Sequence, residues 1–200
     1  MEQISRQEFA RVPLRVHDFL ADVPLHDVWA VDLPHTRFRI TLDEFLRAES
    51  THSCRLSPGA CALLSLRLFA GPLLGWDREP AEMTRQAFAR RLTAVDRSKS
   101  LVPAGTREGL FRVVYRFENE QLLELINRTA HAAALSALVE AGNAYRFYFG
   151  VYVRSVSRFT PIYMGMIDPF RKLVVYPSLL RSIRSAWDKL PVQPTPRALL

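Results

Sequence analysis

A long aromatic strand that runs into a long apolar helix is the feature that most restricts how this chain can fold. Residues 144–156 are rich in β-branched and aromatic side chains, and Gly142 and Asn143 precede them as a turn signal. Beyond Arg158 the apolar residues recur every three or four positions, which is typical of one helix face. The members of that predicted face are Tyr163, Met166, Phe170, Leu173, Pro177, Leu180, Ile183 and Trp187. A helix of this length needs a surface of matching length, and we expect a curved antiparallel sheet wrapped around it.

Several consecutive strands are predicted just before this helix. They cover Leu110–Phe117, Leu122–Arg128, Ala130–Glu140 and Ala144–Val156. The short polar connections between them are typical of antiparallel hairpins. Residues 130–137 are alanine-rich and could form a helix on propensity alone, but the short turns on both sides favour a strand. Strands followed by a long terminal helix predict an α+β fold.

The first half of the chain adds a strand and extra helices ahead of this meander. Residues 27–34 alternate in polarity and stop at a proline, which is typical of a first strand. Thr41 followed by Glu44 is a capping-box pattern and predicts a short helix. Ser57-Pro58 predicts the start of a largely buried helix, because serine caps a helix and proline suits its first position.

Prolines complicate the other helical segments. The apolar stripe of residues 80–95 predicts an exposed helix. Residues 1–23 have helix-like spacing that Pro13 interrupts. In the C-terminal stretch we expect Asp168-Pro169 to begin the main helix after a bend, and Pro177 to produce a second kink.

Composition bounds the class of protein. With 200 residues and 48% hydrophobic content, we expect residues 1–190 to form a single domain and residues 191–200 a Pro-rich tail. The net charge is +7, but no run of five like charges occurs, which favours a solvated basic surface over a nucleic-acid-binding one. Two cysteines without framework spacing, no signal-peptide pattern and no apolar run long enough for a transmembrane helix predict a cytoplasmic protein.

Five motifs together resemble a known family. They are Leu63-Leu-Ser-Leu-Arg67, Gly71-Pro-Leu-Leu-Gly-Trp-Asp77, Arg154-Ser-Val-Ser-Arg-Phe159, Tyr163-Met164 and Ile167-Asp-Pro-Phe-Arg-Lys-Leu-Val-Val175, and the block from Tyr163 to Phe170 is the most specific part. The chain resembles an uncharacterised bacterial domain-of-unknown-function family of the START-like, polyketide-cyclase-like (SRPBCC) superfamily. This resemblance implies a helix-grip fold, in which a sheet wraps around a long C-terminal helix and encloses an apolar pocket for a lipid- or polyketide-like ligand.

The chain departs from the pattern of that family at two places. The family usually has a histidine directly after the Pro-Phe pair, where this chain has Arg171. It also tends to carry an acidic and His-Leu-Asp cluster entering the second strand of the meander, where this chain has Leu122 and Glu124. Both family histidines are therefore replaced, and a catalytic role inherited from the family does not follow.

Seven residues are the candidates for the site. Glu124, His131 and Tyr148 are the candidate catalytic residues, because a buried carboxylate, an imidazole and a phenol can each transfer a proton. Tyr115, Tyr152, Met166 and Phe170 are the candidate ligand-binding residues. The histidines lack ligand spacing, and the common nucleophile, phosphate and zinc motifs are missing, so we expect neither a metal nor a cofactor.

Three functions remain open at this point. The preferred hypothesis is binding of a hydrophobic small molecule between the aromatic strand and the C-terminal helix. The alternative is a cyclase, isomerase or dehydratase that uses the same cavity. The third is a homodimer or membrane-surface contact through the C-terminal helix, where Val175 and Leu179 lie close to Arg181 and Arg184.

Overall fold

The computed structural model describes residues 2–34, 40–51, 81–127, 130–142, 144–156 and 160–190. The helix predicted to start at Ser57, the cysteines Cys54 and Cys61, and the tail 191–200 lie outside these described residues. The architecture is α+β, as predicted, with a long C-terminal helix against an antiparallel sheet and further helices between the second strand and the meander.

In the described part of the chain, seven antiparallel strands form one sheet in the order β1-β2-β7-β6-β5-β4-β3. The strands are β1 Glu2–Gln3, β2 Leu25–Pro34, β3 Arg107–Glu108, β4 Phe111–Arg116, β5 Glu120–Ile126, β6 His131–Ala141 and β7 Ala144–Arg154. The four strands predicted for the meander are confirmed as β4 to β7. The alanine-rich segment is strand β6 because it pairs with a neighbour on each side, and this pairing overrides its helix propensity.

The described helices are short except at the C-terminus. They are α1 Arg6–Phe9, α2 Val16–Phe19, α3 Leu42–Thr51, α4 Ala81–Arg85 and α5 Ala94–Lys99, followed by α6 Thr160–Phe170 and α7 Tyr176–Lys189. A 3-10 helix covers Phe88–Arg91. The capping box predicted for α3 is confirmed, since the Thr41 amide donates to Glu44 at 2.9 Å and the Glu44 amide donates to the Thr41 hydroxyl at 3.2 Å.

The single exposed helix predicted over residues 80–95 is wrong. Helix α4 ends at Arg85, Ala87 has an extended ψ of 136°, and α5 begins only after a capping box at Thr93. The interruption has a tertiary cause, because the amide of Phe88 donates to the buried carboxylate of Glu124 on the sheet. A continuous helix would use that amide for its own hydrogen bond.

Each face of the sheet has its own core. On one side, called the N-terminal face, Val28, Ala30, Leu135, Tyr148 and Tyr152 pack against α1, α2 and Phe88. On the other side, called the C-terminal face, strand residues pack against α3 and α7. The members of this second core include Val31, Leu33, Leu138, Tyr145, Phe147, Phe45, Leu180, Ile183 and Trp187.

The C-terminal helix is continuous from Thr160 to Lys189, so the predicted break before Pro169 is wrong. Pro169 lies inside α6, and the irregularity follows it as a π-helical turn over Arg171–Val175. A proline has no N–H and its ring crowds the preceding turn. The wider π-helical turn accommodates a break in regular α-helical hydrogen bonding without ending the helix.

The π-helical turn also changes which residues face the sheet. Leu180, Ile183 and Trp187 are buried as predicted, but Leu173 is 76% exposed. Met166 and Phe170 are exposed as well, at 58% and 52%. Before the turn, Met164 and Asp168 lie on the inner side of the helix. Arg171 also reaches the inner side, and Tyr176, five positions later, is the next residue that does so. A uniform spacing of three or four residues therefore predicts the wrong face for the first half of the helix.

Among the described residues, no helix combines the length and the apolar character needed to span a bilayer.

Candidate functional site

The seven predicted site residues do not meet in one pocket. Tyr115, Glu124, His131, Tyr148 and Tyr152 are buried on the N-terminal face of the sheet, away from the C-terminal helix. Met166 and Phe170 are exposed on that helix. The strand alternation is as predicted, but the side chains assigned to a cavity under the helix point to the opposite core.

Glu124 and His131 form a buried pair. The His131 Nε2 atom lies 2.6 Å from Glu124 Oε1, and the two side chains are 1% and 2% exposed. The same Glu124 oxygen accepts the Phe88 amide at 2.6 Å, and the Phe88 ring stacks on His131 with ring centroids 4.1 Å apart. The guanidinium groups of Arg91 and Arg154 each lie 5.2 Å from the Phe88 ring centre. These contacts hold the 3-10 helix on the sheet, and whether the pair also has a catalytic role stays a prediction.

The predicted tyrosines have different environments. The Tyr115 hydroxyl donates to Glu120, whose carboxylate also accepts the amides of Arg15 at 2.7 Å and Val16 at 2.9 Å. Burial raises the pKa of Tyr115 and of Glu120. The Tyr148 ring packs on Phe9, and Tyr152 borders a cleft beside α1 and α2.

A different group of titratable residues lies between β2 and the C-terminal helix. It consists of His26, Asp27, Asp168, Arg171 and Tyr176, and is called the polar cluster below. His26 Nε2 lies 2.9 Å from both Asp168 carboxylate oxygens. Arg171 donates to Asp168 at 2.9 Å, to Asp27 at 3.5 Å and to the Tyr176 oxygen. The Tyr176 hydroxyl donates to Asp27 at 3.1 Å.

Two backbone irregularities bring the polar cluster together. The pairing of β2 with β7 shifts between Leu25, which faces Tyr152, and Asp27, which faces Val151, so His26 is the extra residue of a β-bulge. A bulge redirects side chains and allows consecutive residues to reach the same group of partners. On the helix, the π-helical turn brings Arg171 and Tyr176 to the same side. Bulges and π-helical turns are both frequent at functional sites.

Burial raises the pKa of two groups in the polar cluster. The Asp27 side chain is only 1% exposed, and burial raises its pKa against the opposing charges of Arg171 and His26. Burial also raises the pKa of Tyr176 well above that of a free phenol. The side chains of His26 and Asp168 are 27% and 19% exposed, so both can be reached from solvent. The cluster thus combines a carboxyl and a phenol group of raised pKa with an accessible imidazole held by a carboxylate.

An aromatic wall adjoins the polar cluster. The rings of Trp29 and Phe149 each lie 5.6 Å from the Tyr176 ring, and both residues are half-buried. The Trp29 indole Nε1 is buried and has no hydrogen-bond partner in the described part of the chain. An unpaired buried N–H costs about 1–3 kcal/mol, so we expect an acceptor from outside the described residues at this position.

The donor set fits proton transfer and ligand binding better than a metal ion. His26, Asp27 and Asp168 each offer a ligand atom, and these atoms lie within 4.8 Å of one another. However, Arg171 already donates to both carboxylates, and Tyr176 donates to Asp27. A cation would have to displace the guanidinium, which supplies the positive charge at this position.

Sequence reasoning missed the polar cluster because its members are far apart along the chain. His26 and Asp168 are separated by 142 positions, so no motif spacing connects them. One signal was present in the sequence. Asp27 shares an alternation face with the apolar residues Trp29 and Val31, and a carboxylate on an apolar strand face is a candidate buried acid.

The comparisons with known proteins give one match. A family model described as "Protein of unknown function (DUF2867)" matches residues 19–178, a span that includes the whole polar cluster and most of both cores of the sheet. No curated protein and no solved structure matches the chain.

Proposed function

We propose that this chain, which belongs to the DUF2867 family of proteins of unknown function, binds a hydrophobic small molecule. The ligand would lie between the sheet and the C-terminal helix. The polar end of the ligand would lie at the polar cluster and its apolar body against Trp29 and Phe149. We further propose that the family belongs to the START-like superfamily, a proposal supported by the antiparallel sheet with its long C-terminal helix.

The observation that carries this proposal is the unpaired indole N–H of Trp29 beside the polar cluster. Binding sites for small molecules are mostly apolar and contain a few polar groups that orient the ligand. Here the aromatic wall provides the apolar surface, and the indole N–H together with Arg171 provides donors. This arrangement favours a ligand with a carbonyl or hydroxyl oxygen on an apolar framework, such as a lipid- or polyketide-like molecule.

A fluorescent naphthyl ketone tests the proposal. The probe 6-propionyl-2-(dimethylamino)naphthalene emits at shorter wavelength when it leaves water, and it carries the required carbonyl. We expect saturable binding to the wild-type protein. Trp29→Phe keeps an aromatic ring but removes the N–H, so it should weaken binding about three- to tenfold, since a neutral hydrogen bond contributes about 0.5–1.5 kcal/mol.

The matched control is Trp187→Phe, which removes an indole N–H that donates to the Pro34 carbonyl at 3.0 Å in the core below α7. This change should leave the Kd of the probe unaltered in protein whose fold is confirmed by circular dichroism. Equal Kd values for wild type and Trp29→Phe, or an emission change that never saturates, would contradict the proposal. Native mass spectrometry of freshly purified protein then shows whether an apolar ligand is already bound.

The second candidate function is an enzyme, and the His26–Asp168 pair favours it. We propose that the same site could act as a cyclase, isomerase or dehydratase, in which His26 removes a proton from a carbon next to a carbonyl group. The developing oxygen anion would take a proton from the Asp27–Tyr176 pair, whose proton affinity is raised by burial. A carboxyl group whose pKa is raised by burial is suited to act as a general acid.

Exchange of carbon-bound hydrogen tests the enzymatic reading. The protein is incubated with 2-tetralone in D₂O, and loss of the proton signals next to the carbonyl is followed by NMR. We expect exchange faster than in buffer, and His26→Asn should abolish the increase while His17→Asn retains it. If Glu124→Gln, His131→Ala or Tyr148→Phe abolishes the increase in exchange while His26→Asn stays fully active, the chemistry belongs to the N-terminal face instead.

A further inference from the structure

A cleft on the opposite side of the sheet is independent of the site proposed above. It lies between α1, the segment around α2 and the start of β2, and has a volume of about 370 Å³. Its apolar wall includes Phe9, Leu20, Leu25 and Tyr152. A volume of this size is within the range of about 300–1,000 Å³ that small-molecule sites occupy.

Two basic residues, His17 and Arg6, border this cleft. His17 Nε2 is buried without a hydrogen-bond partner in the described part of the chain, and its ring packs edge-on against Phe9 with centroids 4.8 Å apart. Arg6 also borders the cleft, and within the described residues it has no carboxylate partner. A buried ring nitrogen and an exposed guanidinium beside one apolar cleft can both be satisfied by a single anionic group.

The acidic residues near the cleft already accept hydrogen bonds from other groups. Asp22, on its rim, accepts hydrogen bonds from Arg91 at 2.6 Å and from Arg154 at 2.9 Å. Glu120, whose pKa is raised by burial, accepts the Tyr115 hydroxyl and two backbone amides. No acid among the described residues therefore pairs with Arg6, and an incoming anion would meet positive charge.

We propose that this cleft is a second binding site and that it takes a small carboxylic acid with an apolar, aromatic or branched body. The carboxylate pairs with Arg6 and accepts a hydrogen bond from His17 Nε2. The apolar body packs against Phe9, Leu25 and Tyr152. The site lies on the N-terminal face and does not depend on the polar cluster.

Fluorine NMR with 4-(trifluoromethyl)phenylacetate as the probe tests this site. We expect line broadening that gives a finite Kd for the wild-type protein. The neutral analogue 4-(trifluoromethyl)phenylacetamide should bind at least about tenfold more weakly, because hydrogen bonds to a charged group are the stronger ones. Arg6→Gln and His17→Gln should weaken binding of the carboxylate probe by a similar factor. The control is Arg11→Gln, which changes a nearby arginine outside the cleft lining and should leave the Kd unaltered.

A filling variant keeps the test decisive if His17→Gln disturbs the fold. Ala21 is exposed on the rim, so Ala21→Phe should occupy the cleft and abolish broadening of the probe signal while the protein stays folded. The proposal is overturned if the wild type does not broaden the signal, or if Ala21→Phe binds as well as the wild type. It is also overturned if Trp29→Phe, which changes the other site, weakens binding of the probe as much as Arg6→Gln does.

Discussion

Buried carboxylates in this protein are stabilised in two opposite ways. Asp96 accepts hydrogen bonds from Arg15 and from the capping residue Thr93, and the Arg15 guanidinium lowers its pKa. For Asp27, the effect of burial is larger than the opposing effect of the Arg171 charge, and the pKa is raised. One acid therefore favours folding when it is ionised, and the other when it is protonated.

Replacing Asp27 with asparagine should change how stability depends on pH. Because its folded-state pKa is raised, Asp27 contributes stability below the ordinary value of about 3.9, and this contribution is lost as pH rises through the raised pKa. An asparagine side chain cannot ionise, so we expect Asp27→Asn to lose less stability than wild type between pH 4 and pH 8. Urea midpoints across this range measure the difference.

Asp96→Asn is the control with the opposite sign. The lowered pKa of Asp96 contributes stability above the ordinary value, and this is lost as pH falls through the folded-state pKa. The variant should therefore be less sensitive than wild type to acid below pH 4, with no benefit near neutral pH. A steeper loss for Asp27→Asn than for wild type between pH 4 and pH 8 would show that the Asp27 carboxylate is stabilised by its ion pair.

Glu124 should matter more as an acceptor than as a charge. Glu124→Ala leaves the buried Phe88 amide and His131 without their acceptor, and we expect the free energy of unfolding to fall by about 3 kcal/mol. Glu124→Gln retains a carbonyl acceptor and should lose clearly less. Urea unfolding measures both, and similar losses for the two variants would mean that the charge of the carboxylate dominates.

The C-terminal helix packs through one half and exposes apolar side chains along the other. Downstream of the π-helical turn, Leu180 is 1% exposed in the core of the C-terminal face. Within the turn, Leu173 is 76% exposed, although a regular helix pattern places both leucines on one side. The extra residue accommodated by the turn separates these two environments.

Two matched leucine variants measure that separation. Leu180→Ala should lower the free energy of unfolding by about 3 kcal/mol, because it leaves a cavity beside Ile183 and Trp187. Leu173→Ala should change it by less than about 0.5 kcal/mol, since an exposed side chain has little to lose. Chemical denaturation of both proteins provides the comparison, and equal losses would mean that the helix packs through a different face.

For the molecule as a whole, a homodimer through the C-terminal helix stays a prediction. The predicted contact residues Val175 and Leu179 are half-buried, whereas Ile162, Met166, Phe170 and Leu173 are exposed apolar residues of the same helix. Light scattering should then give twice the chain mass of 22.9 kDa, and Leu173→Glu should reduce it to a monomer. Leu110→Glu, at a leucine 43% exposed outside this helix, is the control. A wild-type mass of 22.9 kDa contradicts the dimer, and flotation with liposomes then tests the membrane-surface alternative.

Local patterns were sufficient for most of the sheet and for one helix start. Strand alternation and short turns predicted β4 to β7, including the alanine-rich β6. The Thr41 and Glu44 pair predicted the start of α3, because a capping box involves residues three positions apart. These interactions connect near neighbours along the chain, so the amino-acid order contains the information needed to find them.

Long-range packing determined the candidate site and the orientation of the predicted residues. Alternation divides β7 into two faces, but only the docking of α7 shows that Tyr145 and Phe147 meet the helix while Tyr148 and Tyr152 do not. His26 meets Asp168 because a β-bulge and a π-helical turn bring distant segments together. The energy of such contacts depends on which surfaces pack together in three dimensions. Residue spacing along the chain does not determine this packing, so the sequence pattern alone could not predict the contacts.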